Sequence, residues 1–417
     1  MEKKITKNIL LISLGYLPTV GGSYRVLHEL IIRNENTKID VLTCKDVHQD
    51  DFDLNQNYTI KRSAFISILN EDALIFGNFS TRHFNKLLFF RLLIKFFKYL
   101  ILPFLSFLFI MPNLLNKKYH IIIFAQSVLP FAWYINIIKK ISNKKVICFV
   151  YGEDIVSYRK KGEISKLLRK IYLSGLKKSD TIIANSNITK QEIIDDGIID
   201  SKIKIIYPAV DYNFFKLSDK IKAKENFNVK DKFVILSVGR LIRRKGFDTV
   251  LDILPKLIEH IPNLFYIIRG EGYDKLYLQE KIANNKIEKY VRFIDDLPYS
   301  ELPKLYSASD LFVLPNRLDE KDNEQEGFGI VFLEANACGI PVIGGNSGGV
   351  KDVITNNVNG ILINPLDLFN LNKCIVDVYY KERVFDSIFI REFVKNKYNW
   401  ELSRSGFLNA IELNGKY

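Results

Sequence analysis

Short apolar segments alternate with longer segments of helical periodicity along most of the chain. The first apolar segment is 8–14, a helical segment follows at 24–32, and the next apolar segment is 39–43. Buried strands that alternate with helices in this way are typical of a parallel sheet covered by helices on both faces. The pattern therefore predicts an α/β fold.

The alternation occurs twice, in two halves separated by a polar, lysine-rich segment at residues 216–232. In the first half we expect further strands at 120–124, 145–150 and 181–184, and helices at 128–141, 162–177 and 187–196. In the second half we expect strands at 233–238, 264–269, 291–294, 310–314 and 340–343, and helices at 247–260, 274–284, 300–308 and 328–338. This arrangement predicts two tandem doubly wound domains, at 1–212 and 213–390. Ligands of such sheets bind at the carboxyl ends of the strands, so we expect the site in a cleft between the halves.

Residues 86–112 differ from the rest because aromatic and aliphatic side chains surround a narrow basic stripe. Arg91, Lys95 and Lys98 would lie on one face of a helix, and the charge-free segment that follows is interrupted by Pro103. That segment is shorter than the roughly 20 residues that span a bilayer. The pattern favours a helix lying in a membrane interface, and the alternative is a buried helical hairpin whose lysines reach solvent.

Charge is distributed unevenly over the 417 residues, whose formal net charge is +13. Residues 1–212 hold 31 Lys/Arg against 19 Asp/Glu, and no acidic residue lies between Asp72 and Glu153. Such a field suits an anionic membrane surface or a phosphate-bearing partner. The chain has no helix-turn-helix, zinc-finger or RNA-recognition signature, so nucleic acid is not an expected partner.

The four cysteines are scattered, without the CxxC spacing of a zinc site or a disulfide framework. Their distribution fits a reducing compartment. The apolar run 9–14 is too short for a secretory signal. We therefore expect a cytoplasmic protein with two or three globular domains.

The stretch Glu326 to Gly345 carries the most chemical information. Gly327 and Gly329 open a helix whose free N–H groups could face an anion, and Glu334 follows Glu326 by eight positions, amid apolar residues. A carboxylate held there needs a partner, and sugar hydroxyls would serve. The alternative is a plain turn followed by an ordinary exposed helix glutamate.

A second candidate group follows the expected strand 233–238. Gly239 ends that strand, and four cations come within six residues, from Arg240 to Lys245. Arg240 and Lys245 are placed to clamp a diphosphate. Taken alone, the segment could equally be a solvated basic loop.

These motifs occur together and in order, and the combination resembles the retaining, nucleotide-sugar-dependent glycosyltransferases of the GT-B fold, glycosyltransferase family four. The resemblance covers the whole second half and includes the family's E-x7-E signature at Glu326 and Glu334. The other matching motifs are Gly239-Arg240, Lys245-Gly246, Gly270-Glu271-Gly272, residues 291–293, residues 301–315 and Gly339-Ile340-Pro341. It implies two Rossmann-like domains, with terminal helices at 391–417 that cross back to the first.

The resemblance also implies a role for each of these residues. Glu334 is expected to bind the ribose hydroxyls, while Arg240 and Lys245 neutralise the diphosphate of the leaving group. Glu326 is expected to hold the donor sugar, assisted by the backbone of Gly327, Phe328 and Gly329. The family needs no metal, so we expect neither a metal nor another cofactor.

The match of the first half is looser. Gly21-Gly22 fits the family's glycine loop near the phosphates and the acceptor. The segment Tyr151-Gly152-Glu153-Asp154 stands where the family commonly has a histidine, and Gln126 occupies another frequent histidine position. Tyrosine is a poor general base near neutral pH, but in front-face transfer the leaving phosphate takes the acceptor proton.

These features predict a retaining, metal-independent glycosyltransferase at the cytoplasmic membrane face. Its donor would be a nucleotide-diphosphate sugar, with UDP as the expected nucleotide, and its acceptor a lipid-linked or polysaccharide-precursor glycan. The oligomeric state is not predicted. Two alternatives remain open: a GT-B-fold sugar-nucleotide epimerase, and a catalytically silent nucleotide-sugar-binding subunit.

Overall fold

A computed structural model describes residues 8–19, 21–33, 37–69, 102–125, 131–152, 155, 163–319 and 325–412. The chain divides into two compact units. Unit 1 comprises Met1–Asn185, Thr189–Ile206 and Arg404–Tyr417, and unit 2 comprises Ser186–Ile188 and Tyr207–Ser403. Each unit holds one parallel sheet with helices, which confirms the expected α/β class and the two Rossmann-like domains.

The sheet of unit 1 has seven described strands in the order β3-β2-β1-β4-β5-β6-β7, and all its pairings are parallel. They are β1 (Asn8–Ser13), β2 (Lys38–Thr43), β3 (Ile60–Arg62), β4 (Ile121–Ala125), β5 (Lys145–Val150), β6 (Thr181–Ala184) and β7 (Ile203–Ile205). Strand β1 is central: Ile9 pairs with Ile39 on one side and with Ile121 on the other. Its apolar run is buried because helices cover a parallel sheet on both faces.

The helices described up to residue 206 include one that begins earlier than the sequence indicated. They are α1 (Gly22–Ile32), α2 (Gln49–Leu54), α3 (Ala64–Leu69), α4 (Leu102–Leu115), α5 (Ala132–Ile141), α6 (Glu163–Lys178) and α7 (Asn187–Asp195). Helix α1 starts two residues before the expected 24–32. In α5, Tyr134, Ile135 and Ile138 face the core, and two lysines lie in the last turn, where they favour the helix carboxyl end.

The sheet of unit 2 has six described parallel strands in the order β10-β9-β8-β11-β12-β13. They are β8 (Phe233–Val238), β9 (Leu264–Arg269), β10 (Val291–Ile294), β11 (Leu311–Leu314), β12 (Val342–Gly345) and β13 (Gly360–Ile363). Strand β8 lies between β9 and β11, so the order reverses there. A crevice at the carboxyl ends of the strands is expected at such a switch point.

Four of the helices described after residue 206 correspond to the ranges expected at 247–260, 274–284, 300–308 and 328–338. The helices in this part of the chain are α8 (Lys220–Asn226), α9 (Phe247–His260), α10 (Lys275–Asn284), α11 (Leu302–Ser307), α12 (Ile330–Ala337), α13 (Val350–Val353), α14 (Leu368–Tyr379), α15 (Ser387–Lys397) and α16 (Trp400–Ile411). Within unit 1, the Phe407 ring lies 6.1 Å from that of Phe149, and Lys145 Nζ donates to the Ala410 carbonyl at 2.7 Å. These contacts fix the end of α16 on the sheet of that unit.

The segment predicted for a membrane interface lies mostly outside the described residues. Residues 86–101 belong to that part, and 102–112 fall within α4, which contains Pro112. In the described ranges, no helix has both the length and the apolar character needed to cross a bilayer.

Candidate functional site

The candidate site of unit 2 begins where two neighbouring strands end side by side. Gly239 follows β8 and Gly270 follows β9, and the Gly239 N–H donates to the Arg269 carbonyl at 3.0 Å. A Cβ at Gly270 would overlap the Gly239 carbonyl oxygen, and the φ of Gly270 is 151°. Glycine is therefore required for this close approach of two backbones.

Beyond Gly239 a single 3-10 turn, Arg243–Lys245, places two cations inside the protein. Arg244 is 3% exposed and Lys245 is 8% exposed. The turn ends at Gly246, whose φ of 77° lies in the left-handed region, and α9 starts directly after it. Buried cations require anionic or hydrogen-bonding partners, so this geometry presupposes a counter-charge nearby.

Glu326 supplies that counter-charge. Its Oε2 atom accepts hydrogen bonds from Arg244 Nη1 at 3.0 Å, from Lys245 Nζ and from Asn316 Nδ2 at 2.9 Å. Burial alone would raise the pKa of this carboxyl group. The charges of Lys245 and Arg244 outweigh burial and lower the pKa to about 2, so Glu326 is ionised near neutral pH.

Three residues singled out in the sequence as catalytic candidates are thereby brought together. Lys245 contacts Glu326 directly, and Arg240, which is exposed, contributes to the low pKa of the Glu326 carboxyl group. Lys245 and Glu326 were assigned to different parts of a ligand, but the protein pairs them with each other. An ionised carboxylate and several cations at one sheet edge can bind a polar, anionic ligand.

Residues 327–329 connect Glu326 to the start of α12. Gly329 precedes the helix with a φ of 98°, and the buried Phe328 ring lies 5.8 Å from the Tyr398 ring. The Gly349 N–H donates to the Glu326 carbonyl at 2.8 Å, so a second glycine loop supports this backbone. Gly327 is half-buried beside it. Helix α12 starts at 330 and ends at 337, inside the expected 328–338.

Glu334 is buried in α12 and has a protein partner. The Tyr306 hydroxyl donates to Glu334 Oε2 at 2.7 Å, and Glu334 is 7% exposed. Burial, together with the adjacent carboxylate, raises the pKa of Tyr306 well above its ordinary value. The interpretation of Glu334 as an exposed helix residue is therefore wrong.

The candidates of the first half lie in unit 1. Gly21 and Gly22 stand at the start of α1, where Gly21 has extended backbone, and a Cβ there would lie 2.7 Å from the Tyr24 ring. Tyr151 follows β5 and is half-buried. Asp154 and Gln126 lie outside the described residues.

Three polar residues of the site were missed in the sequence. Arg244 belongs to the run of four cations, but only Arg240 and Lys245 of that run were chosen as candidates. Asn316 comes directly after β11 and Pro315, and this position at a strand's carboxyl end was a usable signal. Tyr306 lies in the matching motif 301–315 but was given no role, because a tyrosine in a helix is usually read as packing.

In the described part of the chain, no group of three or more His, Cys, Asp or Glu side chains is arranged to hold a metal ion. Metal independence stays a prediction.

Two family profiles match the chain. "Glycosyl transferases group 1" matches residues 218–381. "Glycosyltransferase Family 4" matches residues 76–214. The first of these segments contains Gly239, Arg240, Lys245, Glu326 and Glu334, so it includes the polar cluster described above.

Curated proteins with similar sequences match part of the chain. A GDP-mannose-dependent alpha-(1-6)-phosphatidylinositol monomannoside mannosyltransferase of Mycolicibacterium smegmatis is 31% identical over 173 residues, which cover 41% of this chain and 45% of the relative. An uncharacterized 41.2 kDa protein in the cps region of Klebsiella pneumoniae is 33% identical over 189 residues, which cover 45% of this chain and 49% of the relative. The chain thus spans about half the length of these curated relatives.

Solved structures match almost the whole fold. Anabaena HepE in complex with UDP has a TM-score of 0.72 at 19% identity, covering 97% of this chain and 99% of the other. Sucrose-phosphate synthase of Thermosynechococcus elongatus has a TM-score of 0.73 at 18% identity, with coverage of 97% and 98%. At these identities the similarity establishes the GT-B fold alone.

Proposed function

Because the chain belongs to the group 1 glycosyltransferases of family 4, we propose that it transfers a sugar from a nucleotide-diphosphate donor to an acceptor. The observation that carries the proposal is the cluster of Arg244, Lys245 and ionised Glu326 at the carboxyl edge of a parallel sheet. This is the edge where open α/β sheets bind nucleotides.

The donor would lie along that edge with its parts on different residues. Arg240 and Lys245 would neutralise the diphosphate, and Glu334 would bind the ribose. Glu326 and the backbone of residues 327–329 would hold the sugar. The amino end of α12, which has no acidic residue in its first turn, supports the placement of an anion there.

We propose UDP as the nucleotide. The Anabaena neighbour was crystallised with UDP and with UDP-glucose, and the mycobacterial relative is named for GDP-mannose. Both donors carry a diphosphate, the group that the cations suit. A mass-spectrometric screen for the nucleotide sugar that stabilises the protein tests this choice. If only GDP-sugars stabilise it, the nucleotide would be GDP and not UDP.

The transfer would be retaining and metal-independent. The bond between the anomeric carbon and the diphosphate oxygen breaks while the acceptor oxygen bonds to the same face of the sugar. The acceptor proton passes to the leaving diphosphate, so Tyr151 need not act as a base. Cations lower the barrier by stabilising charge that develops on the leaving group.

The acceptor would be a lipid-linked or polysaccharide-precursor glycan, reached at the inner face of the cell membrane. The basic and aromatic pattern of residues 86–112 supports this proposal. Flotation with vesicles of phosphatidylcholine and phosphatidylglycerol tests it. We expect the wild type to float with the vesicles. A variant with Arg91, Lys95 and Lys98 changed to Glu should remain in the bottom fraction of the gradient. Equal flotation of both would remove the membrane step.

Product analysis tests the activity itself. Incubation with a stabilising nucleotide sugar and a membrane glycan extract should release nucleoside diphosphate and yield a glycosylated product. Conversion of the donor to an isomer without acceptor would identify an epimerase instead. Donor binding without turnover on any acceptor fraction would identify a silent subunit, an alternative motivated by Tyr151 and Gln126, which occupy positions where the family often has a histidine.

A further inference from the structure

We infer that Asn316, with Arg244, is a positioning residue that holds the Glu326 carboxylate in one orientation and leaves its Oε1 atom to recognise a hydroxyl of the donor sugar. The inference rests on the proposed function and deepens it. It assigns recognition of the sugar to one oxygen of Glu326 and assigns the orientation of that oxygen to the hydrogen-bond donors Asn316 and Arg244.

The hydrogen bonds to the Glu326 carboxylate from described residues converge on one of its two oxygens. All three donors described above, from Arg244, Lys245 and Asn316, end on Oε2. The side-chain bonds of Glu326 to described residues therefore leave Oε1 without a protein donor. A carboxylate anchored through one oxygen cannot rotate freely, so its other oxygen is presented to a ligand in a fixed direction.

The chemistry of Oε1 follows from the charge of the group. The nearby cations hold the pKa of Glu326 at about 2, so the carboxylate stays ionised through the pH range in which enzymes usually work. An ionised carboxylate only accepts hydrogen bonds. Oε1 is thus suited to accept a bond from a sugar hydroxyl and unsuited to donate a proton.

Asn316 carries a cost to stability. The residue is 0% exposed, and its Oδ1 atom is buried without a hydrogen-bond partner among the described residues. An apolar side chain of similar size would avoid that unpaired oxygen. The amide nitrogen donates to Glu326 Oε2, so what the asparagine contributes in return is the orientation of the carboxylate.

Asn316 also offers a cleaner test than Arg244, because it is neutral. Changing Arg244 would alter the charge that faces a diphosphate as well as the orientation of Glu326. Asn316→Leu removes the amide donor, keeps the branched arrangement of the side chain and leaves the cations in place. Asn285→Leu is the matched control, because it too removes one amide hydrogen bond, to the Leu251 carbonyl at 3.1 Å, at the carboxyl end of α10.

The experiment compares a nucleotide sugar with its nucleoside diphosphate. Dissociation constants for UDP, UDP-glucose, GDP and GDP-mannose are measured by titration calorimetry on the full chain. For the pair that binds, we expect Asn316→Leu to weaken the binding of the nucleotide sugar about fivefold more than the binding of the diphosphate. This factor corresponds to the free energy of one hydrogen bond. Asn285→Leu should leave both constants unchanged. In a Glu326→Gln background, Asn316→Leu should cause no further selective loss.

Each alternative outcome has a distinct meaning. If Asn316→Leu weakened the binding of the nucleotide sugar and of the nucleoside diphosphate equally, the role of Asn316 would be merely structural and the inference would be overturned. A selective loss that persists undiminished in the Glu326→Gln background would also overturn it, because Asn316 would then act without Glu326. Failure of the wild type to bind any of the four probes would instead count against the proposed function.

Discussion

The stability of unit 2 should depend on the charge of Glu326, and Glu326→Gln tests this directly. The carboxyl pKa is lowered from an ordinary value of 4.5 to about 2 by Lys245 and Arg244, against the opposing effect of burial. A lowered pKa in the folded state contributes stability that is complete above the unfolded pKa and is lost as pH falls through the folded pKa. The contribution should therefore disappear between about pH 4.5 and pH 2.

The size of the effect follows from the shift. One pKa unit corresponds to about 1.4 kcal/mol, so Glu326 contributes about 3 kcal/mol at neutral pH. Glutamine cannot neutralise the two buried cations, so Glu326→Gln should lose about this amount at pH 7. For a unit of this size, we expect the unfolding midpoint to fall by roughly 6 to 12 °C.

Tryptophan fluorescence can follow unit 2 separately. The chain has two tryptophans: Trp400 is 8% exposed in unit 2, and Trp133 is 41% exposed in unit 1. In a Trp133→Phe background, the emission of Trp400 reports the unfolding of unit 2. Thermal unfolding is then recorded at several pH values between 7 and 2, with Glu326 intact and with Glu326→Gln.

The two proteins should differ most at pH 7 and converge near pH 2, where Glu326 becomes protonated and resembles glutamine. A difference in midpoint that stays constant from pH 7 to pH 2 would show that the ionic contacts of Glu326 do not stabilise the folded state. Equal midpoints at pH 7 would refute the reasoning in the same way.

Four further substitutions test the site. Tyr306→Phe removes the hydroxyl that donates to Glu334 and should destabilise unit 2 by about 2 kcal/mol in the same fluorescence assay; an unchanged midpoint would argue against this bond. Glu326→Ala should abolish transfer but keep nucleotide affinity within about threefold, whereas Glu334→Ala should lose it; equal losses would contradict the assigned roles. Gly270→Ala forces a Cβ onto the Gly239 carbonyl and should cost at least about 2 kcal/mol, so wild-type stability would exclude the close approach.

The strands of unit 2 were largely predictable from the sequence, and so were four of its helices. Strand β8 and helix α9 have the expected bounds, 233–238 and 247–260, because a continuous apolar run and a clear helical period border the glycine turn at 246. Strand β13 (Gly360–Ile363) was missed, since four residues that begin with glycine carry too little pattern.

The short strands of unit 1 were missed for a related reason. Strands β3 (Ile60–Arg62) and β7 (Ile203–Ile205) have three residues each and lie at the two edges of the described sheet. Each contains a lysine between its ends, which interrupts the apolar run. Edge strands pair on one side only and tolerate such residues, so the apolar signal that reveals central strands is weak in them.

The composition of the candidate site was predictable in part, but its contacts were not. Lys245 and Glu326 are 81 positions apart in the chain and follow β8 and β11, which become neighbours only through a crossover of the sheet. The order of motifs therefore indicated which residues belong to the site. It could not indicate that Lys245 and Glu326 bind each other, because that depends on the paths of two loops across one sheet edge.

The contact between Lys245 and Glu326 makes their roles interdependent. Removing Glu326 takes away an anion that competes with a diphosphate for Lys245, and it also takes away the group that orients Lys245. These effects on diphosphate binding have opposite signs, which is why only a small change in nucleotide affinity is expected for Glu326→Ala. Under the proposed function, the donor sugar gains nothing from the first effect and loses its hydrogen-bond acceptor. The ion pair thus accounts for nearly normal nucleotide binding, and the lost acceptor accounts for the loss of transfer.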